Sequence, residues 1–331
     1  MTFDVVTFGS ATIDIFVETE RERGLTLHTS EGEENLIAYP TGEKLLIKEP
    51  HIDVGGGGTN TATAFHRLGL NTGYCGCLGR DEHAENILHW LSHEGIPFLG
   101  TRTSASTNMS VVLDSTRLSD RTILAYKGSS DELEFDEIDR EALYATWWYF
   151  PSLVGKSYRT MLRLMRYARE NNIAVAFNPS IYQAQHGFDA LREPLTLSQV
   201  VVMNKEEAEA LVGTSDSREE LCRRLRQNGC EIVLITDGSR GATVLYANTL
   251  YSARPREDNK VVETTGAGDC FASSFVAGLI KGLSCEQSLR LALINAESLI
   301  SQMGPKNGLL DFETAMRLVS EDSREVVKNN I

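Results

Sequence analysis

The tetrapeptide Gly266-Ala267-Gly268-Asp269 stands directly ahead of an apolar helical run, "CFASSFVAGLI". Glycine weakens a helix interior, so this cluster marks backbone that must bend or approach something closely. A helix N-terminus presents unpaired N–H groups and a partial positive charge, and together these favour an anion. Asp269 in the first turn reads as part of a cap, or as a carboxylate waiting beside that anion for a proton. A second cluster, "DVGGGGTNTATA", sets four successive glycines after a strand-like run, with Asn60 at the helix start that follows. Such a run lets a ligand lie against backbone, or makes a flexible loop. Asn204 and Glu207 in "NKEE" fit a capping box, with Asn204 as cap and Glu207 at the third helical position. "TDGSRGA" ends a buried strand in a glycine turn, as a hairpin would.

Other chemistries lack their residues. The glycine run is not GxGxxG, and there is no GxxxxGK[ST]. No GxSxG or Ser-His-Asp pattern appears. His89 and His93 share a helix face at metal-ligand spacing, but no third ligand is evident. Cys75 and Cys77 alternate on a strand, where packing is the expected role.

The elements that must position these residues alternate between strand and helix. "FDVVTFG" is a short apolar first strand, "TNTATAFHRLG" a helix opened by Thr59 as cap, "NTGYCGCLG" a second strand, and 81–95 an amphipathic helix. Alternation returns after residue 144 and ends in helices near 268–282, 285–303 and 311–320. Two segments break it. Residues 20–48 are charged with weakly alternating "NLIAYPTGEKLLIKE", and 108–128 holds two β-rich runs flanking a polar turn, a hairpin. The pattern predicts one α/β domain over 1–331. Its doubly wound, mostly parallel sheet is flanked by helices, and a small β-sheet lid comes from about 15–50 and 106–127.

The chain has 331 residues, 41% apolar and 24% charged, which suits a core that stands without metals or disulfides. Its net charge of −14 argues against nucleic acid or an anionic membrane as partner. No stretch approaches a membrane span and no signal peptide is apparent, so the expected setting is cytoplasmic. The six cysteines form no CxxC pair and read as reduced.

Taken together, "GGGGTNTA" and "ETTGAGDCFASSFVAGL", with Asp14 after "FGSATI", Asn204-x-x-Glu207 and "TDGSRGA" in order, resemble the PfkB or ribokinase-like family of sugar and nucleoside kinases. The resemblance implies transfer of the γ-phosphoryl group of ATP to a primary hydroxyl. It makes Asp269 the general base and the N–H groups of Gly266, Ala267 and Gly268 an anion hole. Asp14 and Asn60, with backbone near Gly56 and Gly57, would hold the acceptor. Asn204 and Glu207 would act near the phosphates and Mg²⁺, partly through water, and Thr236, Gly238 and Gly241 would border the nucleotide. Glu263 and Thr265 would hold a monovalent cation such as K⁺. A homodimer through the lid is a further expectation.

The sequence also departs from ribokinases proper. Gly57 stands where they often carry lysine, which removes one partner for a substrate phosphate. "YFPSLVG" lacks their glutamate, which counts against ribose, and Glu263 is one methylene longer than the usual aspartate. The leading expectation is a kinase for an unphosphorylated sugar. A nucleoside kinase is the alternative, with Phe16, Tyr39 or Phe150 to be tested as walls of a base pocket. A catalytically silent ligand-binding member is the reading from another class.

Overall fold

The computed structural model describes residues 2–19, 23–29, 32–115 and 120–330. Strands β1 (Phe3–Phe8), β2 (Thr12–Glu18), β3 (Arg23–Thr29), β4 (Gly32–Ala38) and β5 (His51–Gly55) lead into helix α1 (Gly57–Arg67). Next come β6 (Thr72–Cys75), β7 (Cys77–Leu78), α2 (Glu82–Glu94), β8 (Thr101–Arg102), β9 (Asn108–Ser115) and β10 (Asp120–Tyr126). The alternating part runs β11 (Ala145–Pro151), α3 (Gly155–Glu170), β12 (Ala174–Asn178), α4 (Ile181–Ala184), α5 (Phe188–Leu197), β13 (Val200–Asn204), α6 (Lys205–Val212), α7 (Arg218–Gln227) and β14 (Ile232–Thr236). It closes with β15 (Ala242–Tyr246), β16 (Thr249–Ala253), α8 (Ala267–Ile280), α9 (Cys285–Ile300), α10 (Phe312–Glu321) and β17 (Val327–Asn330).

The main sheet has the order β17-β16-β15-β14-β13-β12-β11-β1-β6. It is parallel from β14 to β6 and antiparallel from β14 to β17. Its central strands are apolar on both faces because helices cover both. Val6, Phe8, Trp148, Phe150 and Phe177 pack with α3, α5, α6 and α7, while Val5, Tyr149, Ala176 and Val202 pack with α1, α8, α9 and α10. Strand order reverses between β1 and β11, since the chain runs from β1 to β6 on one side and from β11 to β14 on the other. Ligands of open α/β sheets bind at the carboxyl ends of strands at such a reversal.

The lid is a four-stranded sheet, β10-β9-β2-β5. It therefore begins at Thr12 rather than 15 and includes β5, beyond the expected limit of 50. The reason is pairing: β2 lies antiparallel to β5 and parallel to β9. Within the expected 15–50 segment, β3 and β4 form a separate two-stranded sheet. The 108–128 hairpin is present as β9 and β10, and its tip at 116–119 lies outside the described residues.

Two local expectations are corrected. The strand expected at 71–79 splits at Gly76 into β6, in the main sheet, and β7, paired with β8. Thr59 does not cap α1; its hydroxyl donates back to the Gly55 carbonyl at 2.6 Å from inside the helix. The helix begins at Gly57 because Gly56 sits at φ 99°, with the carbonyl oxygen of Ser10 only 2.5 Å from where a Cβ would be. All six cysteines are buried and unpaired.

Candidate active site

Two cavities meet at the turn that opens α8. One, of about 410 Å³, is walled by Ser10, Asp14, Gly56, Gly57, Ser110, Glu207, Thr265 and Asp269, among others. Pro151, Ser152, Asn178 and Ser180, from the carboxyl ends of β11 and β12 and the segments just beyond, also border it. The other, of about 580 Å³, is bordered by Gly238, Gly241, Asn259, Val261, Thr264, Ala267, Gly268 and Phe271. Asp269 thus faces the first and Gly268 the second, one residue apart.

The turn has the geometry that α8 needs. Gly266 is its N-cap in the left-handed region, φ 76°, with no side-chain cap. Helix geometry leaves the N–H groups of Gly268 and Asp269 without an i−4 partner inside α8. The expected hole of three amides is narrower, because the Ala267 N–H donates to the Thr264 carbonyl at 3.2 Å. Asp269 accepts from the Asn60 side-chain amide at 2.9 Å. Burial raises its carboxyl above the ordinary range, opposed by that hydrogen bond and by the Lys306 charge.

Sheet register explains Asp14. Asp14 lies opposite Asp53 on β5 and Ser110 on β9, and Ser110 lies opposite Ala125 on β10, so all four share one face of the lid. Asp14 and Ser110 both border the first cavity. The Ser110 hydroxyl donates to Asp14 at 2.6 Å. Burial raises Asp14, while the Ser110 bond and the Lys306 charge lower it.

Asn60 reaches Asp269 and does not itself border the first cavity. Asn204 and Glu207 form the capping box, each side chain bonding the other's backbone N–H at 2.8 Å. Glu207 nevertheless borders the first cavity, and burial, with Glu206 and Asp269 nearby, pushes its carboxyl up to about 7 against the backbone hydrogen bonds. Gly238 and Gly241 border the second cavity from the β14–β15 turn; Thr236 ends β14 and does not border it. Glu263 accepts from the Gly304 N–H at 2.7 Å and lies 4.0 Å from Arg121 of the lid, which also bonds Thr264 at 3.3 Å. Glu263 Oε1 and Thr265 Oγ1 are buried without a hydrogen-bond partner, and Glu263 Oε1 is the oxygen that faces the Arg121 guanidinium. Asn259 Nδ2 is a buried donor without a partner beside the second cavity. Among the described residues no group of three or more His, Cys, Asp or Glu could hold a metal, and His89 and His93 gain no third ligand.

Several site residues carry no sequence signal. Ser110 gains its meaning only from strand register. Lys127 borders the acceptor cavity, with its ammonium 4.7 Å from the Tyr182 ring centroid. The cavity therefore has a cation despite Gly57, which weakens the case from Gly57 against a phosphorylated acceptor. Phe16, Tyr39 and Phe150 do not border the cavity; Phe150 is fully buried, stacked on Phe8 at 4.4 Å, and Tyr126 and Tyr182 supply the aromatic wall.

The family model described as pfkB family carbohydrate kinase matches residues 4–311. The chain belongs to the pfkB family. Members are phosphotransferases with an alcohol acceptor, and this kinase is one of them. It is 29% identical to an uncharacterized sugar kinase of Archaeoglobus fulgidus, over 73% of this chain and 96% of that one. It is 25% identical to adenosine kinase of Saccharomyces cerevisiae, over 92% and 97%. The fold matches Arabidopsis thaliana ribokinase complexed with ribose and ATP, with TM-score 0.80 and 21% identity over 96% and 99%.

Proposed function

We propose that this kinase transfers the γ-phosphoryl group of ATP to a primary hydroxyl of a small unphosphorylated sugar. The observation that carries the reading is the turn shared by two cavities, with Asp269 facing one and Gly268 the other. The larger cavity suits the nucleotide: Val261, Phe271, Leu293 and Ile300 give it apolar walls, and Asn259 offers an unpartnered amide. The smaller one suits the acceptor, whose hydroxyls Asp14 and the backbone at Gly56 and Gly57 would hold.

In the reaction the acceptor oxygen bonds the γ-phosphorus as the bond to the β-phosphate oxygen breaks. The electron pair leaves with ADP, and the acceptor proton passes to Asp269. Phosphoryl transfer depends mainly on positioning and charge neutralisation, so a modest base in the right place suffices. The N–H groups at the start of α8 receive charge on the moving group. Mg²⁺ neutralises phosphate charge when bound, and Glu207 would hold it through water. Glu263 and Thr265 would hold K⁺ through their two buried oxygens without hydrogen bonds, in competition with the Arg121 guanidinium at Glu263 Oε1.

A nucleoside acceptor is the second reading. It is favoured by an adjoining cavity of about 660 Å³ that shares Lys127, Leu153, Val154 and Tyr182 with the acceptor cavity and adds Tyr158. A cytoplasmic setting is supported by the six buried thiols. A lid-to-lid homodimer is supported by the row Ile52, Ile15, Val111 and Leu124, which register sets on one face of the lid, with Ile52 60% and Leu124 57% exposed. Sedimentation of the full chain as a dimer is expected, and a monomer at micromolar concentration contradicts that part.

The test is ADP release with Mg²⁺ and ATP over a panel of pentoses, hexoses, nucleosides and sugar phosphates, with and without potassium. Turnover of an unphosphorylated sugar is expected. Turnover of nucleosides alone favours the second reading, and ligand binding without ADP release with any acceptor overturns both.

A further inference from the structure

The loop between α9 and α10 carries a lysine that none of the sequence motifs contains. Lys306 is 8% exposed. Its ammonium donates to Asn60 Oδ1 at 2.7 Å and to the Val54 carbonyl of the lid strand β5, and lies 5.0 Å from the Trp90 ring centroid. Asn60 in turn donates from Nδ2 to Asp269. An ammonium can only donate, so its bond to Oδ1 decides which end of the amide faces Asp269.

We propose that Lys306 is a positioning residue of the phosphoryl-transfer site: through Asn60 it orients and holds ionised the carboxylate that takes the acceptor's proton. This rests on the reading of Asp269 as proton acceptor. Packing alone does not account for a lysine here. Taking an ammonium out of water costs several kcal/mol, whereas methionine fills such a space without that cost. The charge is held by carboxylates from three elements, Asp53 on β5, Asp14 on β2 and Asp269 on α8, and more weakly by Glu94 of α2. Glu207 and Tyr149 also sense the Asp269 charge, and Asp14 senses that of Glu263. The same loop supports the turn from below, since Gly304 bonds Glu263 and Pro305 lies against Gly266. One short segment thus braces the anion turn, the base and the lid strand.

Burial lowers the Lys306 ammonium to about 8, with Asp53, Asp14 and Asp269 opposing. Above that pH the lysine is neutral and its effect on Asp269 is lost. Arginine stays charged throughout this range. Lys306→Arg therefore extends activity to higher pH, and Lys306→Met moves the acid limb upward, because Asp269 loses a neighbour that favours its ionised form.

The experiment follows the Asn60 side-chain amide by NMR against pH in the full chain without ligands, for wild type, Lys306→Met, Lys306→Arg and Asp269→Asn. In wild type the amide is expected to report an acidic titration that Asp269→Asn abolishes. Lys306→Met should shift its midpoint upward and Lys306→Arg should restore it. On an acceptor that wild type turns over, Lys306→Met should lower kcat roughly 10–100-fold with KM for Mg·ATP within about twofold. An unchanged Asn60 midpoint in a folded Lys306→Met protein overturns the proposal, as does an Asn60 amide indifferent to Asp269→Asn. If Lys306→Met behaves as expected by NMR while Asp269→Asn still turns over, the linkage stands but the role of Asp269 as proton acceptor, and with it Lys306's part in transfer, fails.

Discussion

Two of the carboxylates that border the first cavity are each restrained by one side-chain donor: Asp14 by the Ser110 hydroxyl and Asp269 by the Asn60 amide. The same chemical group can serve two tasks when its neighbours differ. Asp14 sits on a lid strand, where it would grip hydroxyls; Asp269 sits at a helix start beside the phosphate turn. Removing a hydrogen bond to a charged group typically costs ~1.5–3 kcal/mol. Ser110→Ala is therefore expected to raise KM for the acceptor roughly tenfold or more while kcat changes little. Steady-state kinetics check this, and a fall in kcat at constant KM would assign Asp14 to the chemical step instead. Asp269, Glu207 and the glycines were legible in the sequence because each belongs to a local pattern. Lys306 was not, because it meets Asn60 across 246 positions, and only the fold brings them together.

Among the elements, the start of α8 carries the greatest constraint. A Cβ on Gly266 would stand 3.0 Å from both the Cβ and the carbonyl oxygen of Pro305, at a backbone angle that side chains rarely adopt. Gly266→Ala is expected to cost ~1–3 kcal/mol of stability in urea unfolding and to lower turnover as well, since the amides move with the turn. Unaltered stability and turnover would show that the turn is not specifically shaped. The helices and parallel strands were legible because apolar periodicity reports burial directly. The lid was read only in outline. That β2 joins both β5 and β9 depends on long-range pairing, which composition does not encode. The early start of α1 was missed because a glycine gives no cap signal, only freedom of angle.

For the molecule as a whole, the C-terminal segment is tied by ion pairs to Glu297, which stands on the wall of the second cavity. Arg324 bonds Glu297 at 2.8 Å and pairs with Asp322, which Arg290 and Arg256 also approach at 3.2 and 3.4 Å. Glu297 accepts from the Arg256 N–H and borders the cavity. Burial pushes the Asp322 carboxyl up, but the Arg324 charge and hydrogen bonds outweigh it and hold the group below the ordinary range. A depressed carboxylate stabilises the fold above its unfolded pKa, about 3.9, and that contribution is lost as pH falls through the folded value. Arg324→Met leaves buried carboxylates short of a partner, so it should cost ~3–5 kcal/mol near neutral pH. The deficit should shrink toward pH 3 as Asp322 protonates. Chemical denaturation at several pH values checks this, and a deficit independent of pH would mean that lost packing, not charge, is responsible. None of this cluster was legible, because its members come from three separate segments.

The central claim is that the carboxylate facing the acceptor cavity takes the proton while the adjoining turn holds the nucleotide. It is tested most directly by Asp269→Asn, with turnover measured on an acceptor that wild type phosphorylates and ATP affinity measured on the same preparation. Loss of a general base predicts a fall in kcat of ~10²–10⁴-fold with ATP binding retained. A kcat near that of wild type would contradict the account.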